Sequence, residues 1–377
     1  MEVESRERTI LIVAGEASGD TYGAALTEKI LSMAPRSRVV AVGGERMERA
    51  GAELIEHYSS VSVVGLTEVV SHLPQVFSLL GRIKNLLRSG EVDAVTLIDF
   101  PDFNFIVGSH ASRLGIPVLY YIPPQMWAWR EGRARKLKRI AREVVVPFPF
   151  EVDFYRERGV EARYFGHPLM EVIDYSRWEG KKGQAAGSET VVGLLPGSRS
   201  SEVERHLPLL LDAATELEKK GEFRFVIPVP SEKLLPLVRE MAGSRENLEV
   251  VLKGEPGEFP PMDVAVAASG TATLELALLG IPTVVIYTVS TLTYIIGKML
   301  VRLRNIALPN IILGEEIFPE LIQRAATPET ICCRVAEFVE DEEKKERVRK
   351  GSRRLRDLLS GEGPSEGTAR LLLEMFV

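Results

Sequence analysis

Short aliphatic runs, each ending in small or turn-forming residues, alternate with longer amphipathic runs along most of this chain. In the first half the strand-like runs are Thr9–Ala14, Val39–Val42, Ala94–Ile98, Pro117–Tyr121 and Glu143–Val146. Helical periods fall between them, at Thr21–Met33, Leu66–Leu87 and Asn104–Leu114. Strands apolar on both faces and separated by crossover helices predict a parallel sheet covered on both sides. The polar stretch "YSRWEGKKGQAAGSET", residues 175–190, breaks the pattern and reads as a linker region. The alternation then restarts, with strands at Val191–Leu195, Phe223–Ile227, Leu248–Leu252, Val264–Ala267 and Thr283–Tyr287. Its helices are Glu202–Lys219, Ser231–Ala242 and Thr271–Leu279. The expected fold is α/β, two tandem Rossmann-like doubly wound domains with a central cleft. The boundaries fall at 1–174 and 175–354, and ligands belong beyond the carboxyl ends of the strands. A length of 377 residues agrees with two domains.

Composition narrows the function. A net charge of −6 argues against a general nucleic-acid binder, whose field must be positive. The only cysteines, Cys332 and Cys333, are adjacent, so a disulfide framework is not expected and a reducing compartment is favoured. The charged start "MEVESRERTI" does not read as a secretion signal, and the chain is expected to be cytoplasmic. Between Val264 and Val289 only Glu275 is charged, yet Ser269, Gly270, Gly280 and Pro282 divide that run into strand, turn, helix and strand. No zinc-like ligand spacing occurs, and neither metal nor cofactor is expected.

Two turns in the second half suit a diphosphate. In "GLLPGSRSSEVERH" a strand ends at Leu195, Pro196 and Gly197 turn the chain, and a helix opens near Ser201. Amides at that helix start carry partial positive charge, and Arg199 adds a forked cation. In "AVAASGTATLELALLGIPTVV" the small residues Ser269, Gly270 and Thr271 leave their amides approachable before another helix. Glu275, a carboxylate on a face of Leu and Ala, needs a partner, and a ribose diol supplies two donors.

The first half carries a different chemistry. "LIDFPDFNF" ends a strand with Asp99, placed for a general base, while Asp102 is expected to cap the next helix. The loop "GEASGD" bears Glu16 and Asp20, which a phosphate would not tolerate. Gly15 and Gly19 allow close approach there and the carboxylates accept hydrogen bonds, with a capping role for Asp20 as the alternative. His167, in "YFGHPLMEVI", is the one histidine near a domain junction. The basic stretch after Trp129, opening with Arg130, suits nucleic acid or anionic lipid, or is a solvated helix with its tryptophans in the core. In "TLTYIIGKMLVRLRNIALPN" a broad apolar stripe has a basic margin, the pattern of an interfacial helix and also of a core helix.

Taken in order, "AGEASGD", "IDFPDFNF", "WAWREGRARKL", "FPFEVDFY", "FGHPL", "LLPGSR..EVE", "ASGTATLE" and "LPN" resemble the lipid-A-disaccharide synthases, from Ala14 to Asn310. The resemblance implies a GT-B glycosyltransferase. Its donor and acceptor would be UDP-2,3-diacylglucosamine and 2,3-diacylglucosamine 1-phosphate, joined with inversion and release of UDP. It implies Asp99 as catalytic base. It implies a UDP-sugar site of Gly197, Ser198, Arg199, Ser269, Gly270, Thr271, Glu275 and Asn310. The acceptor side would take Glu16, Ser18, Gly19, Asp20, Trp129, Arg130 and His167. A C-terminal tail, residues 355–377, is expected to rejoin the first domain or to exchange within a homodimer. The enzyme is expected at the cytoplasmic face of the inner membrane as a peripheral protein. Pro124 departs from the serine more usual in the family. A lipid-linked N-acetylglucosamine transferase and a UDP-N-acetylglucosamine 2-epimerase share the architecture, but "GEASGD" and "WAWR" speak against both. A non-catalytic sugar-nucleotide sensor is the rival of another class.

Overall fold

The computed structural model describes residues 7–58, 66–129, 131–175, 178, 189–289 and 304–376, with backbone only at 66–73, 128, 129 and 131. Two compact units emerge, Met1–Glu171 with Leu359–Val377, and Val172–Leu358. The expected linker stretch and the apolar segment at 291–303 lie mostly or wholly outside the described residues.

The first unit holds a six-stranded sheet of β1 (Thr9–Ala14), β2 (Arg38–Gly43), β3 (Glu53–His57), β4 (Ala94–Ile98), β5 (Val118–Tyr121) and β6 (Glu143–Val145). Its order is β3-β2-β1-β4-β5-β6, with every pair parallel. Ile10 through Ala14 are wholly buried, as are Val95, Leu97 and Ile98, which explains why the central strands are continuous aliphatic runs. Each buried Val, Leu or Ile side chain among them stabilises the core by roughly 1.5–3 kcal/mol. The C-terminal helix Pro364–Glu374 packs on helix Ala17–Met33 of this unit.

The second unit repeats the plan with β7 (Thr190–Leu195), β8 (Phe223–Val229), β9 (Leu248–Leu252), β10 (Val264–Ala268), β11 (Thr283–Tyr287) and β12 (Glu320–Ile322). Its order, β12-β11-β10-β7-β8-β9, is the same topology read from the other edge. In both sheets the order reverses between the first and fourth strands, at β1/β4 and β7/β10. Crossovers leave that point in opposite directions, so a crevice opens beyond the strand ends. The α/β doubly wound reading holds in both halves.

Candidate active site

Register fixes what meets at the first switch point. Ala14 pairs with Ile98, and Ile98 with Tyr121, so Gly15, Asp99 and Ile122 leave the sheet side by side. Asp99 and Phe100 then take left-handed backbone, φ 46° and 47°, and Ile122 has φ 61°. Non-glycine residues in that region cost on the order of 1–3 kcal/mol each and persist only where the surroundings over-determine them. The Asp99 amide donates to the Ile122 carbonyl at 3.0 Å, and its own carbonyl accepts from Asn104 Nδ2 at 2.8 Å and Tyr120 OH at 3.0 Å. A Cβ on Gly15 would lie 2.1 Å from Phe100 Cγ, so only glycine fits beside that ring. Half-buried Asp99 thus sits between the carboxyl end of β4 and the start of helix Pro101–Arg113.

The acidic loop divides its labour. Glu16 caps helix Ala17–Met33 with extended backbone and accepts Ser18 Oγ at 3.0 Å. Gly19 lets that helix press on β1 and β4, a Cβ there meeting Ala14 Cβ at 3.1 Å. Asp20 is a correction to its expected sugar role. It is 3% exposed and accepts the amides of Gly44, Arg46 and Met47 at 2.7, 3.2 and 3.2 Å. Its carboxylate therefore caps helix Glu45–Arg49, not its own helix.

At the second switch point Ala267 pairs with Leu195, which brings the two small-residue turns together. Helices Ser200–Glu218 and Thr271–Leu279 both start there. Gly197 has φ 127°, Arg199 is the cap residue of the first helix, and a Cβ on Gly270 would meet open space. Glu202 occupies the first turn. It accepts the Ser198 amide at 2.8 Å and pairs with Arg199 Nη1 at 2.9 Å. His206, buried just behind, bridges the Pro196 and Thr288 carbonyls at 2.8 and 3.2 Å.

Other expectations are altered. Glu275 is buried but not isolated, since its Oε2 accepts Lys253 Nζ at 2.8 Å and the Gly257 amide at 2.9 Å. Asn310 is fully buried and its amide is saturated. Nδ2 donates to Phe318 O and Glu320 Oε1 at 2.7 and 2.8 Å, and Oδ1 accepts the Ile317 and Phe318 amides at 3.0 Å. All four of its bonds are spent inside the unit, so it organises the turn before β12 instead of facing a ligand.

His167 is packed against Phe148 and Tyr22 at 4% exposure, and its Nδ1 accepts the Leu169 amide. Burial pushes its pKa down to about 3, so it is a neutral core group and does not line an open acceptor surface. Asp102 is inside helix Pro101–Arg113, whose cap residue is Phe100, and it pairs with Arg133 at 2.6 Å. The Trp129 side chain and Arg130 lie outside the described residues. Downstream, Ala134, Leu137 and Ile140 are buried, as in a solvated basic helix. Among the described residues no three-residue His/Cys/Asp/Glu group could hold a metal, and no helix is long and apolar enough to cross a membrane.

Sequence reasoning missed Asn104, Tyr120, Glu202 and Lys253. A polar residue between two aromatics in "DFNF" was the available signal for Asn104.

Two doubly wound units, each with its turns at a switch point of its own, define the class of fold, two tandem Rossmann-like units, that this chain shares with solved glycosyltransferases and epimerases. Among solved structures, the glycotransferase of kitacinnamycin matches with TM-score 0.65 and 17% identity, covering 99% of this chain and 100% of that one. A UDP-GlcNAc 2-epimerase from Neisseria meningitidis, bound to UDP-GlcNAc, matches with TM-score 0.61 and 13% identity over 98% and 99%. At such identity the likeness is one of fold. Sequence is more specific. The family model described as lipid-A-disaccharide synthetase matches residues 10–370. The lipid-A-disaccharide synthase of Geobacter metallireducens is 40% identical over 376 residues, 98% of this chain and 97% of that protein. The chain belongs to the lipid-A-disaccharide synthase family.

Proposed function

We propose that this protein transfers 2,3-diacylglucosamine from its UDP derivative to the primary hydroxyl of 2,3-diacylglucosamine 1-phosphate. The product is a β-1,6 disaccharide, and UDP leaves. The observation that carries the reading is Asp99, held in left-handed backbone at the carboxyl end of β4. In the reaction its carboxylate takes the acceptor's hydroxyl proton while that oxygen bonds to the anomeric carbon. The bond from that carbon to the diphosphate oxygen breaks on the opposite side, the electron pair leaves with UDP, and configuration inverts.

Gly197, Ser198, Arg199, Ser269, Gly270 and Thr271 hold the diphosphate, where two helix starts and a guanidinium stabilise the departing charge. Glu275 keeps Oε1 for a ribose hydroxyl while Lys253 and Gly257 hold Oε2. Glu16, Ser18 and Gly19, which follow the end of β1 beside β4, take the acceptor side, with Trp129 and Arg130 receiving the acceptor phosphate. Acylated substrates place the reaction at the cytoplasmic face of the inner membrane.

The test is incubation with both acylated substrates. UDP release is expected only when both are present, and release without either would overturn the reading. Asp99→Asn, correctly folded, is expected to lose at least 100-fold in kcat, the scale of a general base. Near-normal turnover would remove the base assignment.

A further inference from the structure

Asp99 and Phe100 form consecutive left-handed residues, an arrangement that side chains and strand geometry disfavour. Something must hold it. The Asp99 carbonyl has two lone pairs, and two side chains occupy them: Asn104 Nδ2 at 2.8 Å and Tyr120 OH at 3.0 Å. Asn104 is completely buried in helix Pro101–Arg113, and the same nitrogen approaches Val13 O at 3.2 Å and Ile98 O at 3.1 Å. One amide therefore ties the ends of β1 and β4 to the turned carbonyl. Tyr120 comes from β5, its ring fully buried. Burial, and then the Asp99 charge, push its hydroxyl well above the usual range, so it remains a donor throughout neutral pH.

We propose that Asn104 and Tyr120 are positioning residues for the Asp99 carboxylate. They anchor its main-chain carbonyl, and so hold the left-handed turn from which the side chain works. The two anchors come from different elements, helix Pro101–Arg113 and β5. This inference rests on the reading of Asp99 as the base. A base displaced by a fraction of an ångström loses rate without losing substrate affinity.

The experiment uses the full chain with Tyr120→Phe, Asn104→Ala and Asp99→Asn, each measured for kcat, KM for both substrates, UDP affinity by calorimetry and thermal midpoint. Tyr120→Phe removes one hydroxyl and is expected to lower kcat roughly five-fold, the rate equivalent of one ordinary hydrogen bond. Asn104→Ala is expected to lower it more than ten-fold. Both KM values and UDP affinity should stay within about two-fold. Unchanged kcat in both variants, with Asp99→Asn inactive, overturns the inference. So does a loss confined to KM, UDP affinity or the thermal midpoint. If Asn104→Ala fails to fold, Tyr120→Phe decides alone. Active Asp99→Asn instead defeats the base reading, a result that does not depend on either anchor.

Discussion

Glu151 is a carboxyl wholly inside the first unit, held by Trp127 Nε1 at 2.6 Å and the Phe148 amide at 3.2 Å. Burial pushes its pKa up to about 8, against the lowering effect of those two donors. Between about pH 4.5 and 8 the folded chain keeps a proton that the unfolded chain has released, so stability falls as pH rises. His167 works in the opposite sense. With its folded pKa near 3, the unfolded chain holds the extra proton between about pH 3 and 6.5, and stability rises with pH there. Each full slope is about 1.4 kcal/mol per pH unit, and the two oppose each other from about pH 4.5 to 6.5. This pair is therefore expected to give a plateau in that interval with a fall on either side. Glu151→Gln should abolish the fall between about pH 6.5 and 8 in urea unfolding, and an unaltered alkaline limb would refute the assignment. Nothing in the sequence around "FPFEVDFY" distinguished this glutamate from an exposed one. Burial is a property of what packs on it, here the aromatic chain of Trp127, Phe150 and Phe148.

Helix Ser200–Glu218 begins with its own anion in place. Glu202 accepts the Ser198 amide and pairs with Arg199, the donors assigned to the diphosphate. A carboxylate in the first helical turn is favourable by about 0.3–1 kcal/mol. Two anions cannot share those donors, so Glu202 must swing aside as the diphosphate enters. Glu202→Gln is expected to tighten UDP binding roughly three- to ten-fold in calorimetry, whereas weaker binding would show that Glu202 prepares Arg199 for the ligand. Elements differ in how legible they were. β1, β4 and β11 have the bounds of their aliphatic runs, because enclosed strands need continuous apolar sequence, and the edge strand β9 matches its run although its residues are half-buried or exposed. Glu53–His57 and Glu320–Ile322 went unseen, being edge strands whose half-buried residues carry no such run. Helix Ala17–Met33 starts four residues before its apolar period. Gly19, which reads as a loop residue, is helical because β1 and β4 press against it.

At the scale of the whole molecule, each unit has its own six-stranded sheet and its own switch point. Donor binding should therefore register in one unit. UDP alone is expected to slow amide exchange at Leu195–Arg199 and Ala268–Glu275 and to leave Gly15–Asp20 and Asp99–Asn104 unchanged. Protection confined to the first unit would reverse the donor assignment. The class of fold was legible in the chain alone, since alternating enclosed strands and amphipathic helices have few solutions. The sequence also marked the turns that carry Asp99, Arg199 and Ser269, because strand ends followed by small or charged residues are local signals. Which polar groups are already spent was set by contacts that exist only in the folded chain. Asp20 caps a neighbouring helix, Asn310 is saturated, and Glu275 holds Lys253. These partners stand 24, 8 and 22 residues away along the chain. A hydrogen bond depends on positions in space that folding sets, and residue type alone does not reveal whether the bond has been made.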